Sequence, residues 1–169
     1  MSKVFNFIGS CIIWAAILLC LVLMVPKLAG VQNYVVISGS MEPAIPVGSL
    51  VYSKEADPKT LEPGDVIVFF TSNSGVGGGS DVIPVTHRVV KNDVEAGEIT
   101  TKGDANEQND ISSVSYYNVQ GKVIFHIPGL GYPASLLAST TGKVAAVLVI
   151  LGGYLLTEVG RLLRKKNKN

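Results

Sequence analysis

Cysteine is almost missing from this chain. The only two, Cys11 and Cys20, lie inside the first apolar segment, so no disulfide, thiolate metal site or cysteine nucleophile can form in the polar residues that follow. The shortage of disulfides is neutral about compartment. Charge is scarce too. Only 16% of the 169 residues are charged and 47% are hydrophobic, against the ~25% charge usual for soluble domains, a deficit that points to membrane segments. A net charge of +1 gives no global field that would argue for nucleic acid. Histidine occurs only at His87 and His126, and no internal repeat is present. The glycine-rich run at 75–80 reads as a flexible loop between strands. A phosphate loop is not expected there, because no Lys-Ser/Thr follows and no helix starts.

Two apolar runs are present instead. Residues 4–25 are 22 positions without a charge, preceded by Lys3 and ended by Pro26-Lys27. A bilayer core takes about 20 helical residues. A cleaved signal peptide would have roughly 7–15 apolar residues and then a small-x-small site. This run is longer, and the nearest such pattern, Leu28-Ala29-Gly30, follows a proline, so 1–30 is expected to be a retained N-terminal anchor. The second run, 136–160, has a strict core of 13 residues at 144–156, with Lys143 and Glu158 near its ends, where long side chains reach an interface. A buried amphipathic helix and a second span are both open. The tail from Arg161 favours the span, because it holds five of the fourteen Lys and Arg residues and, like Lys3, suits a cytoplasmic side. Residues 132–169 then form a C-terminal transmembrane helix with a basic tail, and 31–131 lies on the extracytoplasmic side of the cell membrane.

Between the runs, short segments rich in Val, Ile, Phe and Tyr at 34–37, 49–52, 66–70, 82–90, 99–102 and 119–127 alternate with turn signals such as Glu62-Pro63-Gly64-Asp65. This predicts a mainly β domain of short antiparallel strands. The segment Tyr34-Val35-Val36-Ile37-Ser38-Gly39-Ser40-Met41-Glu42-Pro43 carries the first chemistry. In an extended backbone Ser38 and Ser40 share a face across a glycine, which allows a substrate backbone close approach. One hydroxyl could attack a carbonyl while the other donates to the developing oxyanion; a plain Ser/Gly turn is the alternative. A serine nucleophile needs a base, and His87 lies in a strand pattern in the polar domain, whereas His126 lies in an apolar strand and reads as structural. The loop Thr101-Lys102-Gly103-Asp104-Ala105-Asn106-Glu107-Gln108-Asn109-Asp110 offers Asp104 and Asp110 as orienters of a histidine. Its spacing does not fit an EF-hand calcium loop.

Taken in order, Ser38-Gly39-Ser40-Met41-Glu42-Pro43, Gly64-Asp65-Val66-Ile67-Val68-Phe69, His87-Arg88-Val89, Lys102-Gly103-Asp104, Gly121-Lys122-Val123 and Ile127-Pro128 resemble signal peptidase I. The nearer likeness is to the endoplasmic-reticulum type shared by eukaryotes, archaea and some Gram-positive bacteria. The resemblance implies a membrane-bound serine endopeptidase that removes signal peptides from secreted preproteins. It implies Ser40 as nucleophile, His87 as general base where the bacterial type has lysine, and Asp110 as orienting acid, with Ser38 and Asp104 in support. No cofactor and no metal are implied. The partners implied are the lipid bilayer and secretory preproteins with small residues one and three positions before the cut. The family often reads Gly-Asp-Asn-Asn, whereas this chain has Gly103-Asp104-Ala105-Asn106, which keeps Asp104 open as the triad acid. The segment 72–80 reads as a local insertion. Two other readings stand beside this one. The first is a membrane-anchored β domain that binds without cleaving. The second is a self-cleaving Ser-Lys peptidase, for which Lys91 is the only lysine near His87.

Overall fold

The computed structural model describes residues 2–74 and 80–166, with side chains outside 2, 72–82 and 166. The chain divides into two compact units, one made of Lys27–Tyr132 and the other of the apolar segments on either side of it.

The first unit is a seven-stranded antiparallel sheet. Its strands are β1 (Val31–Val35), β2 (Leu50–Lys54), β3 (Val66–Ser74), β4 (Ser80–Asp93), β5 (Glu98–Lys102), β6 (Val114–Ser115) and β7 (Val119–Ile127). They lie in the order β1-β2-β7-β3-β4-β5-β6. Alternation along β3 covers both faces of the sheet. Ile67 and Phe69 pack with Leu61, Val89, Ile99 and Val114 on one side, while Val68 packs with Val36, Met41, Ile45 and Val51 on the other. Six strands fall where the sequence pattern puts them, with shifted ends. β6 has no predicted counterpart, because two residues are too few to carry a period. Residues 72–74 continue β3 and 80–82 begin β4, paired from Ser72↔Val82 to Ser74↔Ser80. The flexible loop predicted at 75–80 gives up Ser80 to β4, and its remainder, 75–79, lies outside the described residues.

β4 is the strand that organises the site, and it changes partner along its length. From Ser80 to Arg88 it pairs with β3, and from Arg88 to Asp93 with β5. A bulge between Val89 and Lys91 separates the two registers. Val89 and Asn92 therefore both turn to the core side, where Asn92 donates to the carbonyls of Pro58 and Leu61.

The second unit contains α1 (Ser2–Leu28), most of α2 (Gly131–Ala138) and α3 (Thr140–Lys166). α1 and α3 are each long and apolar enough to cross a membrane. They meet where Gly9 lies against the Gly153 carbonyl; a Cβ on Gly9 would stand 2.5 Å from that oxygen. α1 runs through Pro26 and Lys27 rather than stopping there, and Gly30, at φ 74, turns the chain toward β1. The predicted single run at 136–160 is broken at Ser139. Its Oγ accepts from Gly142 N at 2.9 Å and so caps the first turn of α3. Only 11% of the apolar window of α3 is buried within the chain.

Candidate active site

The serine segment is not the extended strand expected from sequence. β1 ends at Val35, and residues 38–45 turn. Gly39 O accepts from Glu42 N at 3.0 Å, and Met41 O accepts from Ile45 N at 2.8 Å. Gly39 and Pro43 favour such a turn, and Met41, 1% exposed, anchors it in the core. The turn brings the two hydroxyls together all the same, with Ser38 Oγ 3.3 Å from Ser40 Oγ. A Cβ on Gly39 would meet only the Glu42 carboxyl at ordinary contact distance, so the fold itself does not require glycine there.

His87 stands on β4 opposite Ile67 and is nearly buried. Its Nδ1 is 2.6 Å from Asp110 Oδ2. Its Nε2 turns to the other side, where Gly103 separates it from the serine segment. A Cβ on Gly103 would lie 3.1 Å from His87 Nε2 and 2.6 Å from Ser40 O. The same loop holds the serine backbone, since Ala105 N donates to Ser40 O at 2.9 Å. Serine segment, histidine and acidic loop therefore meet at one point.

The two loop carboxylates have different partners. Asp104 is taken up by Arg88, whose Nε donates to Oδ1 at 2.8 Å and whose Nη2 donates to Oδ2 at 2.6 Å. Arg88 Nη1 also donates to Gly64 O at 2.7 Å. The Asp104 hydrogen bond holds the guanidinium above its ordinary value, although burial opposes this. Asp110 faces His87 and also accepts from the hydroxyl of Thr101, at 2.6 Å. Thr101 was not singled out by sequence reasoning, because a threonine in a strand carries no motif.

Two clefts flank the histidine. One, of about 360 Å³, runs between Val35–Ser38 and residues 83–87 and reaches Ser40 and Met41. The other, of about 440 Å³, lies over Phe69 and Val85 under the loop carrying Asn106 and Asp110. Of the remaining candidates, His126 sits on β7 opposite Val51 and lines neither cleft. Lys91 pairs with Asp93 at 2.9 Å.

No protein-family model matches the chain. Similar proteins exist nonetheless. The chain is 31% identical over 128 residues to the signal peptidase complex catalytic subunit SEC11 of Lodderomyces elongisporus, an alignment covering 70% of this chain and 72% of that protein. It is 30% identical over 132 residues to the human signal peptidase complex catalytic subunit SEC11C, covering 72% and 65%. It is 36% identical over 107 residues to signal peptidase I W of Bacillus subtilis, covering 61% and 52%. Likeness of this extent, along an antiparallel sheet accompanied by two helices of membrane-crossing length, means that the chain belongs to the signal peptidase I family of membrane-associated serine endopeptidases.

Proposed function

We propose that the chain removes signal peptides from secretory preproteins with Ser40 as nucleophile, His87 as general base and Asp110 as the carboxylate that orients the base. The observation that carries this reading is the His87 ring itself. Its Nδ1 is bonded to Asp110, and its Nε2 is turned toward the backbone that bears Ser40. A carboxylate on Nδ1 fixes the tautomer that leaves Nε2 free to accept a proton, and it stabilises the imidazolium that forms.

The Ser40 hydroxyl lies 3.3 Å from Ser38 Oγ, a contact in which either can be the donor, and for attack its hydrogen points to His87. Oγ then adds to the scissile carbonyl while its proton passes to Nε2. The carbonyl π electrons move to oxygen, and the Ser38 hydroxyl donates to that oxyanion. Collapse expels the amine of the mature chain, which takes the proton from Nε2. Water, deprotonated by the same nitrogen, then hydrolyses the acyl-enzyme and returns the proton to Ser40.

The first half of β4 favours an extended substrate. Its β3 side is paired, and among the described residues no backbone group bonds to its other edge. A peptide laid along that edge, in the cleft beside Val36 and Ser38, adds one strand to the sheet. Residues two apart on such a peptide point the same way, so those one and three places before the cut both face Val36 and Met41 and must be small. Asp104, through Arg88, braces the loop. A lysine base is disfavoured because Lys91 is occupied by Asp93.

The membrane arrangement belongs to the same proposal. Lys3 and the basic tail lie on the cytoplasmic side, and the sheet unit lies on the extracytoplasmic side. Protease added to intact cells should reach the sheet unit and spare a C-terminal tag; a tag digested from outside would leave one span only. For the chemistry, Ser40→Ala should abolish cleavage of a model preprotein without changing the unfolding midpoint. Ser38→Ala should lower turnover by about 10²–10³, the value of one oxyanion donor. Near-normal turnover by Ser40→Ala would end the serine-nucleophile reading.

A further inference from the structure

Asp110 is gripped from two sides, and only one of them is the histidine. Thr101, the fourth residue of β5, is fully buried. Its Oγ1 lies 2.6 Å from Asp110 Oδ2, the same oxygen that is 2.6 Å from His87 Nδ1. A carboxylate oxygen can only accept, so the threonine hydroxyl is the donor. A second bond closes the clasp, because Asp110 N donates to Thr101 O at 2.9 Å. The sheet explains why this threonine is in place. It stands opposite Val89, just before the bulge in β4, and that register keeps it on the face of the sheet that carries His87.

We propose that Thr101 is a positioning residue for catalysis. By sharing Oδ2 with His87 it locks the Asp110 carboxylate in the rotamer that meets Nδ1, and through it the imidazole in the orientation that faces Ser40. The inference rests on the triad reading and adds a member to it. Thr101 touches neither substrate nor serine and acts only through Asp110. A buried hydroxyl that merely satisfied its own hydrogen bond would affect folding and nothing else, whereas a positioning hydroxyl is coupled to turnover through one named carboxylate.

The test is a double-mutant cycle on the full chain in detergent, with initial rates of preprotein cleavage followed over a range of substrate concentrations and at a temperature below every variant's unfolding midpoint. Thr101→Val keeps the shape and removes the donor; it should lower kcat by about 10–100-fold, the usual cost of losing an outer partner of a functional ligand, with KM unchanged. Thr101→Ser restores the donor and should restore kcat to within a few-fold. In an Asp110→Asn background, Thr101→Val should cost nothing further. If the valine variant does not fold, Thr101→Ala removes the same hydroxyl without adding a methyl group beside the carboxylate, and takes its place in the cycle. Wild-type kcat in the donor-less variant overturns the inference, as does an equal loss in both backgrounds. Full activity in Asp110→Asn alone would overturn the triad itself, and this inference with it.

Discussion

The two halves of β4 share one strand and differ in what covers their edges. The second half is closed: β5 pairs one side, and the residues before β3 cover the other. There Gly64 N donates to Val89 O, Val89 N donates to Asp65 O, and the Asn92 amide reaches Pro58 and Leu61. Among the described residues the first half is paired with β3 alone, and its other edge borders the cleft that reaches Ser38 and Ser40. His87 and Arg88 are consecutive residues at the change of partner. His87 reaches Asp110 at the far end of the acidic loop, and Arg88 reaches Asp104 at its start. One stretch of strand can therefore be rigid on one side of a residue and receptive on the other, with the two needs met by alternate side chains.

The comparison breaks most sharply at the two aspartates. Asp110→Asn keeps the shape but favours the wrong histidine tautomer. It should cost about 10⁴ in turnover, as in the serine-protease template, and leave the unfolding midpoint where it was. Asp104→Asn should instead lower stability by about 1–3 kcal/mol, the range for hydrogen bonds to charged groups, and lower activity only as far as the loop loosens. Denaturant melts and single-turnover rates on both variants decide the matter. Asp104→Asn stable but inactive, with Asp110→Asn merely unstable, would exchange their roles.

The open edge can be tested from the substrate side. Peptides N-methylated at alternate backbone positions before the cut lose one strand-type hydrogen bond each. KM should rise by about 5–10-fold per lost bond, the equivalent of roughly 1 kcal/mol, at every second position and not at those between. A uniform effect along the peptide would mean that it does not pair with β4.

The smallest expected effect lies on the closed side. Burial pushes the Asp65 carboxyl up, but this is outweighed by the hydrogen bonds from Lys122 and Glu62 N and by the Lys122 charge, so it sits below the ordinary range. A depressed carboxylate adds stability above its unfolded value, near pH ~3.9, and loses it as pH falls through the folded value. Wild type should therefore lose stability on acidification below about pH 4 more steeply than Asp65→Asn, with thermal melts across that range as the measure. Parallel curves would mean the Lys122 pair contributes nothing.

Much of this was legible in the sequence because strands with a buried face announce themselves by period. What escaped had no side-chain signature. β6 is too short to show alternation. Residues 72–74 extend β3 through backbone pairing, beyond the apolar run that ends at Phe70. Ser38 and Ser40 were expected on one side of a strand; they meet across a turn, which Gly39 and Pro43 signal more strongly than the preceding valines signal a strand. The pairing of Asp104 with Arg88, sixteen residues away, is one that no local spacing reveals. Ser139 was a readable start signal for α3, but the apolar residues on both sides hid it.

Gly103 has a consequence for how this enzyme can change over time. Any side chain there would strike the Ser40 carbonyl, the Asn106 amide and His87 Nε2 together. The obstacle is lack of room rather than backbone conformation. Substitution at position 103 displaces the Ser40 backbone and His87 from each other at the first step. A lineage that leaves glycine at this point must move the serine turn and the acidic loop in the same event.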